Sequence, residues 1–377
     1  MMSHQNGGKD LDDGALAHID VLRRQHQRDN VINRPRTVVT FESPLTLTVI
    51  KFPAIGNTEV IGTTPSDNPI TFNLGPDDTW AVYAPNITPA YMGQLVTDLA
   101  NHAVPSLILM RNSLGPSELA QLAGATLLTT LILGRDWASL DGIEALDQLA
   151  QLVIVNNTLI MDAELSALAG MAALEQLILT NSPNISNGGM SHLAVLTGLK
   201  HLYLNRTTVD DAGIATLLSG APEIIGLHME RLNVTDNTVT QVIARPNMVA
   251  LDFDETSISD GGAAQLATLT ALRDLDLRDN KGGDIQNATL LSLSSALSNL
   301  RIFAVTSPDI DDAGMANIST LTQMVDLTLR GTALTDGGLP NFTSLTGMHD
   351  LWAASTGVTS AGKAYLEGAI TGLTVHI

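Results

Sequence analysis

The sequence predicts an α/β solenoid, right-handed and horseshoe-like, of about eleven stacked units behind a small β-rich domain. Three observations carry that expectation. An apolar phrase recurs about every 24 residues from Val104 onward. The chain is 44% apolar but only 3% aromatic, so Leu, Ile, Val and Ala must fill its core, which suits many thin, similar layers. Ahead of the repeats, short β-type runs are separated by Pro, Gly, Asn and Asp.

The phrase is an apolar residue, two variable positions, Leu, one variable position and a second apolar residue. It begins at Val104, Leu128, Leu149, Leu174, Leu199, Ile224, Met248, Leu272, Leu300, Met324, Met348 and, truncated, Leu373. The intervals are 24, 21, 25, 25, 25, 24, 24, 28, 24, 24 and 25 residues. The second unit is thus short, around Arg135-Asp136-Trp137, and the eighth is expanded around Asp279-Asn280-Lys281-Gly282-Gly283. No unit can bury its leucines alone, so each needs its neighbours. Stacking predicts one parallel strand per unit with right-handed crossovers and a short closing strand near Thr374.

One unit, LKHLYLNRTTVDDAGIATLLSGAPE from Leu199, illustrates the elements. Leu202 and Leu204 alternate with His201, Tyr203 and Asn205, as in a short strand with one buried face. Thr207 and Val209 turn the chain inward. Asp210, Asp211 and Gly213 open a helix whose apolar positions are Ile214, Leu217 and Leu218. The register predicts that Leu204 faces the core and Tyr203 the solvent, so Leu204→Asp should destabilise severely and Tyr203→Asp should not.

These units resemble leucine-rich repeats, specifically the cysteine-containing, ribonuclease-inhibitor-like subclass. Thr207, Thr256, Thr332 and Thr356 stand where that subclass carries Cys. Its Thr-Asp-x-Gly element appears as Asp210-Asp211-Ala212-Gly213, Ser259-Asp260-Gly261-Gly262 and Thr335-Asp336-Gly337-Gly338. The resemblance covers about 270 residues and implies a shape suited to binding proteins; it implies no particular ligand. The glycine pairs Gly188-Gly189, Gly261-Gly262 and Gly337-Gly338 are expected where the strand-to-helix turn crowds the backbone.

The remainder divides into a polar segment, 1–35, with one amphipathic stretch from Leu11 to Arg24, and a β-rich domain, 36–87. The latter holds four or five strand signals in RTVVTFESPLTLTVIKF, TEVIG, PITFNLG and TWAVYAP. Residues 88–103 look like a helix leading into the solenoid, which spans 88–377. The β-rich domain either caps the first repeat or docks the solenoid to a larger assembly.

Acidic residues number 39 against 19 basic ones, a formal net charge of −20. Such a surface repels nucleic-acid phosphates and anionic lipid. There is no cysteine, which excludes disulfides, thiolate metal sites and cysteine nucleophiles. No apolar run approaches the ~18 residues of a membrane span, and the first thirty residues contain nothing resembling a signal peptide, so a cytoplasmic location is expected. No phosphate-binding loop, zinc-binding helix or nucleophile elbow is present. The sequence therefore predicts no enzyme and no cofactor.

That leaves the concave sheet face. Its middle row reads Ile178, Tyr203, His228, Asp252, Asp276, Ala304, Thr328, Trp352. The flanking rows contain Gln176, His201, Asp274, Asp326, Asp350, and Asn205, Glu230, Asp254, Arg278, Arg330. Tyr203, His228, Glu230, Asp252, Asp254, Asp274, Asp276, Arg278 and Trp352 are the candidate binding residues. They would meet a cationic protein partner or a divalent ion, with Tyr203, His228 and Trp352 as apolar anchors. Alternatively, the acidic patch reflects composition alone. Mutual repulsion of its aspartates predicts stabilisation by salt, and an ion site predicts a further effect of Ca²⁺. Two functions fit: a non-enzymatic binding or scaffold protein, or a structural component of a large particle such as a virion, docked through the β-rich domain.

Overall fold

The computed structural model describes residues 37–52, 58–65, 68–75, 78–85, 87–110 and 114–377. The stretch from Leu11 to Arg24 lies outside them. The chain divides into two compact units, residues 1–160 with 167–174, and residues 161–166 with 175–377.

In the first unit, the strand signals of the N-terminal region become five strands: β1 (Thr37–Phe41), β2 (Thr48–Phe52), β3 (Glu59–Thr63), β4 (Ile70–Leu74) and β5 (Thr79–Tyr83). β1 pairs antiparallel with β4, and β2 with both β3 and β5. Trp80 packs edge-on against Phe41 and Phe72 at ring separations of 6.0 and 5.5 Å. A helix, Met92–Asn101, leads into the repeat strands β6 (Ser106–Leu109), β7 (Thr130–Leu133) and β8 (Gln151–Ile154). β5 pairs parallel with β6, so the N-terminal strands continue into the sheet of the first repeats. The short second repeat replaces its helix with one 3₁₀ turn, Ile143–Ala145. Trp137 is buried in that repeat, its indole N–H donating to the Leu109 carbonyl at 3.1 Å.

The second unit holds eight further repeat strands: β9 (Gln176–Ile178), β10 (His201–Tyr203), β11 (Gly226–His228), β12 (Ala250–Asp252), β13 (Asp274–Leu277), β14 (Ile302–Val305), β15 (Asp326–Thr328) and β16 (Asp350–Trp352). The closing strand is β17 (Thr374–His376). All pair parallel, each with its sequence neighbour. Leu177, Leu202, Leu227, Leu251, Leu275, Phe303, Leu327, Leu351 and Val375 therefore lie directly beside one another, none more than 1% exposed. Burying each such side chain contributes about 1.5–3 kcal/mol before entropy is counted.

After each strand the chain must turn toward its helix, and in five repeats a side-chain O–H or N–H donor satisfies a carbonyl left behind. The hydroxyls of Thr207, Thr256, Thr332 and Thr356 each donate to the carbonyl three residues back, at 2.6–2.9 Å. Asn280 serves the expanded repeat in the same way, its amide donating to Leu277 at 2.8 Å. One position in this turn is left-handed, with φ of 60° at Arg206, 60° at Arg231, 53° at Glu255 and 66° at Gly331. Only the last is glycine, so the other three carry a local strain of order 1 kcal/mol each that the packed repeats must hold.

A second device joins repeat to repeat. Asp162, Asn187, Asp211, Asp236, Asp260, Asn287, Asp312 and Asp336 each accept the backbone N–H that precedes the next helical segment. The donors, in the same order, are Ser186, Asp210, Thr235, Ser259, Gln286, Asp311, Thr335 and Thr359, at 2.7–3.3 Å. Where the donor residue is Ser or Thr, its hydroxyl also donates to the same Asp, as Thr235 does to Asp211 at 2.7 Å. Where it is Asp, the preceding repeat supplies Asn instead. Asn187 and Asn287 donate their amides to Asp210 and Asp311 at 2.7 and 2.8 Å. Most of these residues also cap their own helices, Ser259 accepting from Gly262 and Thr359 from Ala361.

The same contact explains the glycines. A Cβ on Gly262, Gly314, Gly338 or Gly362 would overlap the carboxylate or amide oxygen of Asp236, Asn287, Asp312 or Asp336 from the previous repeat. Of the glycine pairs the sequence singled out, Gly188, Gly189, Gly262, Gly337 and Gly338 are crowded, by the neighbouring repeat's side chain, whereas Gly261 is not. The helix Ser360–Ala369 provides an internal comparison, because nothing lies within 4 Å of a Cβ built on Gly368. Gly362→Ala should destabilise by about 1–3 kcal/mol through overpacking. Gly368→Ala should be neutral or stabilise by up to about 1 kcal/mol through helix propensity. Chemical denaturation of both variants checks this; equal effects would show that the Asp336 contact does not require the glycine.

Candidate functional site

The outer-face rows read from the sequence are those of the second unit. Tyr203 lies beside Ile178 and His228, His228 beside Asp252, and Asp252 beside Asp276. Backbone hydrogen bonds extend the register beyond the strands, Arg206 N–H to Glu230, Arg231 N–H to Asp254 and Glu255 N–H to Arg278. Asn205, Glu230, Asp254 and Arg278 thereby form the adjacent row.

Tyr203 is not a solvent-facing residue as the alternation predicted; it is 2% exposed. Its ring stacks on His228 with centroids 3.8 Å apart and planes 4° apart, and its hydroxyl lies 3.4 Å from the Gln176 amide. Parallel strands place equivalent side chains about 4.8 Å apart, so flat rings in one row close on each other and exclude water. His228 is 7% exposed, its Nδ1 3.8 Å from Asp252. The expectation that Tyr203→Asp is harmless is therefore corrected. That change should destabilise much as Leu204→Asp does, and matched melting temperatures for the two variants check this. A clearly milder effect for Tyr203→Asp would contradict the stack.

The aspartates are also not the simple repelling patch that was expected. The Arg278 guanidinium lies between two of them, 2.9 Å from Asp254 and 2.6 Å from Asp276. Asp252 and Asp276 each accept the N–H two residues ahead, from Asp254 at 2.9 Å and Arg278 at 3.0 Å. Glu230 pairs with Arg206 at 2.6 Å, and Arg231 with Glu255. Salt should therefore stabilise this face less than unpaired repulsion would imply. Asp274 lies in the other flanking row, between Ala250 and Ile302.

Trp352 is separated from this cluster by two strands. It is 44% exposed and stacks on His376 at 3.8 Å, and His376 contacts Asp350 at 2.9 Å. The structure thus gathers Tyr203, His228, Glu230, Asp252, Asp254, Asp276 and Arg278, and places Trp352 elsewhere on the face. Asn205, already placed in the flanking row by the sequence, is joined on the face by Arg206 and His376, which the sequence reading did not single out. Carrying the same row arithmetic one position further would have found them. Among the described residues, no three His, Asp or Glu side chains converge so as to hold a metal ion, and no helix is long and apolar enough to cross a membrane.

No family model and no curated protein matches this chain. Among solved structures, an internalin from Listeria monocytogenes is similar at 18% identity over 78% of this chain and 86% of that one, with a TM-score of 0.47.

Burial raises the pKa of Asp254 to about 7, with the charges of Asp276, Asp252 and Glu230 adding to the shift and Arg278 opposing it. Burial and the Asp252 charge likewise raise Asp276, to about 6. A carboxyl whose pKa is raised on folding binds more protons folded than unfolded. Its contribution to stability is therefore full below about pH 4 and is lost as pH rises through the folded value. Asp254→Asn should consequently gain stability relative to the unaltered protein as pH rises from about 4 to about 8. Melting temperatures across that range check the sign; a constant difference would contradict the shift.

Proposed function

We propose that the chain is a non-enzymatic binding protein whose second unit presents the outer face of its sheet to a cationic protein partner. The observation that carries this reading is the makeup of that face. Asp252 and Asp276, with Asp254 beside them in the adjacent row, share a row with Trp352, a large, exposed aromatic held in a stack. Aromatic side chains with little rotamer freedom are the residues that dominate protein interfaces, and opposite charge speeds and orients the encounter. No cofactor and no nucleic acid is part of this reading, and the cytoplasm is the proposed location.

In the first unit, we infer that the N-terminal strands act as a cap, since β5 pairs parallel with β6 and leaves no open repeat at that edge. A second reading makes those strands a docking element, in a structural protein of a large particle such as a virion. It is favoured by two exposed valines there, Val38 at 65% and Val60 at 56%.

Affinity capture of partners from source-cell extracts distinguishes the faces. Trp352→Ala should reduce capture at least tenfold, and Asp252→Asn, which keeps an acceptor for the Asp254 N–H, should also reduce it, neither lowering the melting temperature appreciably. Ser292→Lys, on the exposed flank of the helix Asn287–Ala296, should leave it unchanged. Loss with Ser292→Lys and none with the face variants would refute the reading.

A further inference from the structure

The strand β17 pairs with β16 and, among the described residues, with no strand on its other side. Alternation along a parallel strand decides which backbone groups face that open side. Thr374 donates its N–H to His349 and His376 accepts from Ala353, so both face inward. Val375, between them, points its N–H and C=O outward. An exposed edge of this kind is a template for a strand of another molecule.

Both outward groups are taken. Glu367 Oε1 accepts the Val375 N–H at 2.8 Å, and Lys363 Nζ donates to the Val375 carbonyl at 2.7 Å. The two side chains rise from the helix Ser360–Ala369 one turn apart and lie 3.5 Å from each other. A half-exposed ion pair contributes little to stability by itself. Here each charged group also completes a hydrogen bond of the kind an added strand would make.

The repeat pattern marks Lys363 as a departure. In the eight repeats whose Asp or Asn accepts the next N–H, the residue three positions later is apolar and fully buried, as at Leu165, Met190, Ile214, Met315 and Leu339. In the helix before β17 that residue is Lys363, and Ser360 stands where the others carry Asp or Asn. This helix therefore gives up both devices that join one repeat to the next, and turns the released position toward the strand edge. Lysine occurs only five times in 377 residues, so composition does not account for one at this position.

We propose that Lys363 and Glu367 form an edge guard, occupying the strand-addition surface of β17 and so keeping a second copy of this chain from extending the sheet there. A second copy is the fitting occupant, because a two-fold axis at Val375 sets β17 antiparallel to itself. Each chain then offers the other the donor and acceptor that its own edge needs. The guard is independent of the outer face, since these backbone groups lie in the plane of the sheet.

The test is analytical sedimentation of the full chain. Lys363→Ala with Glu367→Ala uncovers both backbone groups and should self-associate at least tenfold more tightly than the unaltered protein. Lys363→Arg with Glu367→Gln keeps a donor and an acceptor, and should behave as the unaltered protein does. Glu175→Ala with Lys200→Ala removes an exposed ion pair elsewhere and should also change nothing. Hydrogen exchange at the Val375 amide locates the event. It should be at least tenfold faster in the dilute Lys363→Ala, Glu367→Ala variant than in the unaltered protein, and should slow again as concentration rises.

A folded double-alanine variant that associates no more than the unaltered protein would overturn the inference. Equal association of the Arg and Gln variant would overturn it too, because the hydrogen bonds would then not be what closes the edge. If the double-alanine variant does not fold, Glu367→Ala alone decides through Val375 exchange. Faster exchange supports the guard, and a rate equal to that of the unaltered protein shows that Glu367 does not hold the strand edge.

Discussion

The structure of the second unit depends on one recurring contact, a carboxylate or amide at the start of each helical segment that accepts the N–H preceding the next. Leucine stacking supplies most of the free energy, but it is non-directional and would tolerate sliding between layers. The hydrogen bond fixes the offset. It also dictates sequence on both sides: hydroxyl residues face Asp, Asp210 and Asp311 face Asn, and glycine must stand where a Cβ would strike the accepting oxygen. Asp211 shows how strongly such a site favours the charged form. Burial by itself raises a carboxyl's pKa, yet the hydroxyls of Thr238 and Thr235 and the Thr235 amide hold it below the usual range.

Most of the fold was legible because its period is long and its leucines are in register. The twelve first positions from Val104 to Leu373 are all buried, and the lateral rows fall as the interval arithmetic placed them. The Thr-Asp-x-Gly pattern was visible too, but its reason was not, since the partner of each residue lies 23 to 26 positions away in the adjacent repeat. Comparing each helix start with the next would have exposed the Asp–hydroxyl and Asn–Asp pairing. The pairing of β5 with β6 was equally hidden, because β signals in a sequence do not say which edge they join.

The candidate site was read less well for a physical reason. Alternation assigns a side chain to a face but says nothing of lateral crowding, so Tyr203 was expected in solvent although His228 covers it. Formal charge likewise hides pairing; Arg278 changes what Asp254 and Asp276 do to one another. What remains after this pairing is a face that is acidic and aromatic at two separated places. These properties coexist with a scaffold whose stability is secured elsewhere, in the stacked leucines and the contacts between helix starts.

The pairing rule between helix starts is the part of the account most directly open to measurement. Asn187→Asp sets a second carboxylate against Asp210, where every other Asp of this kind meets a hydroxyl, an amide side chain or the N–H alone. Denaturant unfolding of Asn187→Asp, of Asp210→Ser and of the double variant measures the coupling. The account predicts that Asn187→Asp destabilises by about 1 kcal/mol or more, and that Asp210→Ser in the same chain restores most of the loss by rebuilding an Asp–Ser pair. Effects that simply add, within about 0.5 kcal/mol, would contradict it.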